Sequence, residues 1–81
     1  MKFEFPLTQP NLHLKWIQSA LYTAARLRRL AAIAEKLHEA GWPVRDTLTG
    51  LAFEPPGGDQ DLQRRLAELG IDEGFRRVPG K

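Results

Sequence analysis

The residue pair with the most obvious chemistry is Glu35 and His38, in the run Glu35-Lys36-Leu37-His38. A carboxylate and an imidazole three residues apart on a helix face the same way and can share a metal ion. Sites of that kind also need carboxylates from neighbouring helices, and residues 11–34 contain no Asp or Glu. A solvated polar edge is therefore the expected role, with no metal and no cofactor. His13 is too far along the chain to join His38 within one molecule; only an antiparallel dimer would bring the two together.

Nucleophilic chemistry finds little to work with. Ser19 is the single serine and sits in the middle of a helical pattern, without the strand-to-helix turn that exposes a catalytic hydroxyl. The run Pro55-Pro56-Gly57-Gly58-Asp59 precedes a second helical pattern, where backbone N–H groups could meet an anion. It lacks the Lys-Ser/Thr of a phosphate-binding loop and the spacing of a dinucleotide fingerprint, and Asp59 and Asp61 would repel phosphate. A plain loop with a capping aspartate is expected. No acid–base constellation is readable, so the chain is read as non-enzymatic.

Arginine is the one residue type with some pull. Arg26, Arg28 and Arg29 cluster in the first helical segment, Arg64 and Arg65 in the second, and Arg76 and Arg77 in the tail. Were both helices on one side of a sheet, the first two clusters would form a patch able to hold phosphates, and these seven residues are the candidate nucleic-acid contacts. Against this stand a net charge of only +2, from 12 basic and 10 acidic residues, and the absence of an RNP-like aromatic motif. Phe3, Phe5 and Phe53, the aromatics available to stack bases, occupy positions expected in a core. Solvated helix faces with pairs such as Arg64–Glu68 are the plainer reading. Arginine outnumbers lysine eight to four, a bias expected of a thermophile or of a GC-rich genome.

These residues must be held by a single domain, since 81 residues leave no room for a second. The absence of cysteine excludes disulfides, thiolate zinc sites and cysteine nucleophiles. No apolar run approaches the ~18 residues of a membrane span. The opening Met-Lys-Phe-Glu-Phe-Pro has no apolar signal-peptide core, so a cytoplasmic protein is expected.

Phe3, Phe5 and Leu7 alternate, which predicts a half-buried strand with Pro6 at an edge or at its end. From about Asn11 to Ala40 there is neither Gly nor Pro, and good helix formers dominate. Gly41-Trp42-Pro43 then predicts a glycine stop with an apolar residue folding back. Val44 on one side of a Thr/Gly turn and Leu51 and Phe53 on the other predict a hairpin. Asp59 or Asp61 is expected to cap a second helix running through Leu69, closed by Gly70-Ile71, and a short last strand is expected within Phe75–Val78. The class is α+β: a small antiparallel sheet with two helices, in the order β-α-β-β-α-β. That is the order of ferredoxin-like domains, although here the first helix is unusually long.

Thirty helical residues would span roughly 45 Å, against roughly 30 Å for a compact domain of this size. The apolar positions also change direction. Leu14, Ile17, Ala20, Leu21 and Ala24 point one way, and Leu30, Ile33, Ala34 and Leu37 another. A seam of Ile17, Ala20, Ala24, Leu27, Ala31 and Ala34 keeps three-then-four spacing, and its small residues allow close helix approach. The expectation is a homo-oligomer, most simply a dimer with this seam as its interface, acting by binding another macromolecule, protein or nucleic acid. The expected core is Phe3, Phe5, Ile17, Leu21, Leu30, Ile33, Leu37, Trp42, Val44, Leu51, Phe53, Leu62, Leu66 and Leu69, buried in the assembled protein.

Overall fold

The computed structural model describes the backbone of residues 1–7 and 16–78; the side chains of residues 16–20 lie outside that description. The elements are β1 (Phe3–Pro6), α1 (Trp16–Glu39), β2 (Val44–Asp46), β3 (Gly50–Phe53), α2 (Leu62–Glu68) and β4 (Arg76–Arg77). They form an α+β domain with a four-stranded sheet in the order β2-β3-β1-β4, all neighbours antiparallel. The element order is the one expected. Because β3 lies between β1 and β2, the β1–α1–β2 crossover is split. The described part of α1 has 24 residues, α2 has seven and β4 only two.

Alternation along the strands places Phe3, Phe5, Leu51 and Phe53 on the inner face. Phe5 and Phe53 stack with ring centroids 4.7 Å apart, and Phe75 meets Phe3 and Phe53 edge-on at 5.8 and 5.9 Å. Onto this face α1 lays Leu30, Ile33 and Leu37, and α2 lays Leu62 and Leu66. Val44 and Leu69 are half-buried against the same cluster. Ile71, absent from the expected core, is buried. Leu21 departs from expectation within the single chain, where it is 67% exposed. Ile17 lies outside the described side chains.

Pro6 ends the central strand without breaking the sheet. Leu7 N–H bonds across to Thr49 O, whereas Lys2 O accepts from Val78 N–H on the other side. Strand alternation therefore turns the polar groups of Glu4 and Pro6 toward the β4 side. There β4 pairs only with Phe3 and Glu4, so the N–H that proline lacks has no ladder partner to lose. Gly50 faces Pro6 across β1 and β3, and a Cβ at Gly50 would collide with the carbonyl oxygen of Phe5.

Both helix stops follow their local chemistry. Gly41 (φ 83°) donates to His38 O at 3.0 Å and Trp42 N–H donates to Leu37 O at 2.9 Å. Gly70 (φ 78°) donates to Ala67 O at 2.9 Å and Ile71 N–H to Leu66 O at 3.0 Å. These are paired Schellman motifs, and in each the following apolar residue, Trp42 or Ile71, is buried. The start of α2 differs from expectation. Asp61 holds the N-cap position in a left-handed conformation (φ 53°), yet its side chain makes no capping bond. Its carboxylate is instead 3.1 Å from Arg64 Nη2, because the left-handed backbone does not aim the side chain at the N–H groups of the first turn.

Candidate functional site

Six of the seven arginines expected to form a basic surface hold carboxylates or carbonyls of the chain, but only Arg26 is buried. Arg26 sits on the core-facing stripe of α1, one turn before Leu30, and is 7% exposed. Its Nε and Nη2 donate to Pro6 O at 3.0 and 2.9 Å, and Nη1 pairs with the Glu73 carboxylate. The bare edge of β1 beyond β4 is thus met by a guanidinium. Arg29, one turn-edge away, reaches the second oxygen of Glu73 at 3.0 Å. Burial pushes the Glu73 carboxyl up, but hydrogen bonds from Arg26 and Arg29 and their charges outweigh it, so its pKa is lowered.

A second network lies on the outer face of the sheet. Glu4 alternates with Phe3 and Phe5 and reads in sequence as a solvent-facing strand residue, but it is only 3% exposed. Its Oε2 accepts from Thr49 Oγ1 at 2.6 Å and Thr47 Oγ1 at 2.8 Å, both from the β2–β3 turn. Its Oε1 accepts from Arg76 Nε at 3.0 Å. Burial raises its pKa; the bonds from Thr49, Arg76 and Thr47, with the Arg76 charge, lower it further than that, and the net shift is downward. Sequence reasoning missed Glu4, whose only signal is a threonine on each side of the turn tip.

Three of the remaining candidates are also engaged. Arg64 bridges Asp61 and, at 3.5 Å, Glu68, the expected i, i+4 partner. Arg65 lies over Trp42 and donates to the carbonyls of Gly58 and Pro56, pinning the loop before α2. Arg77 pairs with Asp59 at 3.1 Å and lies over Phe3. Of the seven, Arg28 alone makes neither hydrogen bond nor ion pair among the described residues, and it is exposed.

One side of α1 presents an apolar surface. On α1 the stripe through Leu30, Ile33 and Leu37 faces the sheet, while Ala24, Leu27 and Ala31 point about 120° away on a helical wheel. Leu27 is 52% exposed, Ala24 and Ala31 are exposed, and Ala34 packs against the core. Ile17 and Ala20, which complete the expected seam, lie outside the described side chains. Between this side of α1 and the β2–β3 hairpin run two adjoining cavities that share Ala34, Asp46 and Leu51. One, of about 390 Å³, is walled by Leu27, Leu30 and Ala31. The other, of about 330 Å³, is walled by Glu35, His38, Val44 and Arg45. Glu35 and His38 thus share a groove with Asp46, but no group of three or more potential metal ligands forms among the described residues.

Comparison with protein-family models, with curated proteins and with solved structures finds no match. Among the described residues no helix is long and apolar enough to cross a membrane.

Proposed function

We propose that this protein is a non-enzymatic binding module that self-associates through α1 and presents the assembled surface to another macromolecule. The observation that carries this reading is the exposed Leu27, flanked by Ala24 and Ala31, beside an apolar groove that the domain's own elements leave open. A domain this small buries a limited core, and association through an uncovered helix face is a usual remedy. A competing phosphate-binding reading has less support, because Arg29, Arg64, Arg76 and Arg77 each pair with a carboxylate that offsets part of their charge.

Sedimentation equilibrium tests the proposal. The expected mass is about twice the 9.2 kDa of one chain. A single-chain mass up to sub-millimolar concentration removes self-association. Retention on DNA or RNA that falls steeply with salt would favour the arginine surface instead.

A further inference from the structure

We infer that a second copy docks antiparallel along α1, with each Leu27 seated in the partner's cavity beside Ala34 and His38, and with Arg28 of each chain paired to Glu35 of the other. This rests on the proposed self-association and specifies its geometry. Two independent features on one side of α1 are self-complementary. The first is a knob and a hole: Leu27 is half-exposed, and seven residues on, the cavity beside Ala34, Glu35 and His38 is floored by Val44 and Leu51 and open to solvent. The second is charge. Arg28 and Glu35 are both exposed, and neither makes a hydrogen bond or ion pair among the described residues.

The spacing selects the symmetry. Seven residues are nearly two full turns, so Leu27 lies in line with Ala34, and Arg28 with Glu35, about 10 Å further along the axis. A two-fold axis perpendicular to the helix maps each position onto its mate only if it passes midway, beside Ala31. In such an isologous contact residue i meets j and j meets i, so both features are satisfied twice by one operator. The residue at the crossing is alanine and exposed, which lets the two helices approach closely. Residues 31, 34, 35 and 38 form the four-cornered hole that receives a knob in helix pairing. A parallel copy would instead level Leu27 with Leu27, leaving the cavity empty, and would place Arg28 and the partner's Glu35 on opposite flanks of the seam.

Sedimentation equilibrium of the full chain and four variants decides it, with circular dichroism confirming that each is folded. Leu27→Glu is expected to be monomeric. Arg28→Glu and Glu35→Arg are each expected to weaken dimerisation about 10-fold, since each reversal turns two attractive pairs into repulsive ones. The double variant Arg28→Glu/Glu35→Arg is expected to recover most of that loss. A wild-type chain that stays monomeric overturns both the self-association and this geometry. A wild-type dimer with neutral single reversals, or with no recovery in the double variant, overturns the antiparallel register and leaves self-association standing. A dimer that survives Leu27→Glu removes the knob.

Discussion

Arg26 grips the carbonyl oxygen of Pro6 with two guanidinium nitrogens, at 3.0 and 2.9 Å, and so closes the part of β1 that β4 is too short to cover. The same guanidinium holds Glu73, so the helix, the central strand and the segment before β4 meet at one buried cation.

Removing that cation should be costly. Arg26→Met keeps the apolar stem but leaves Pro6 O and one side of Glu73 without a donor, with Arg29 retaining part of the pair. The expected loss is roughly 2–4 kcal/mol, as for breaking one partner of a largely buried pair. Urea denaturation should show it as a lower midpoint at unchanged slope. A loss below ~0.5 kcal/mol would mean that the network is ornamental.

Stability should fall in acid for a definite reason. The Glu4 and Glu73 carboxyls titrate below the usual value of 4.5 in the folded chain. With folded values depressed, the stabilisation is present above the unfolded-state pKa and disappears as pH falls through the folded-state values. The unfolding free energy should therefore hold from pH 7 to about 5 and decline below about 4.5. Glu4→Gln should be less stable at pH 7 and decline less steeply, because one of the linked protons is gone. A variant with the wild-type slope would exclude Glu4 from the linkage.

Two glycines should respond differently to alanine. Gly41 has open space around its Cβ position, so Gly41→Ala meets only the left-handed backbone, at about 1 kcal/mol. At Gly50 the obstacle is the carbonyl oxygen of Phe5 and the Cα of Pro6, both main-chain atoms of a paired strand. Gly50→Ala must pry β1 from β3 and should cost about 3 kcal/mol or prevent folding. Thermal melts of the two variants side by side would expose an inverted order.

Leu66→Ala tests whether α2 belongs to the core. The side chain is almost fully buried, and the truncation should cost roughly 2–5 kcal/mol. A near-neutral result would place the seven-residue helix outside the cooperative unit.

Much of the fold was legible because the deciding interactions are local. The Gly-then-apolar stops at Gly41-Trp42 and Gly70-Ile71 act within one turn, and the structure carries both as Schellman motifs. The alternation of Phe3 and Phe5 and the turn between Val44 and Leu51 likewise need only near neighbours to declare a strand and a hairpin. The last strand, expected within residues 75–78, is confined to Arg76–Arg77, where Glu4 and Phe3 supply the partners that make two arginines a strand. Asp61 shows the limit of such reasoning: its residue type suits a cap, but its backbone conformation aims the carboxylate at Arg64.

The sequence by itself determined the class, the element order, the helix stops and most of the core, since each is encoded by periodicity or by residues within a few positions of one another. Only the tertiary structure decided what the charges do. Arg26 and Glu73 are 47 residues apart, and Arg76 and Glu4 are 72 apart. Helical periodicity puts Arg26 in line with Leu30 and turns Arg28, two residues on, toward solvent, but it does not show what the buried guanidinium holds. The two differ by about 200° of helical rotation, and the carboxylate that Arg26 holds is delivered by a distant segment. The apolar side of α1 was readable as a seam, yet the cavity lying beside it exists only because the hairpin of β2 and β3 folds back alongside Ala34.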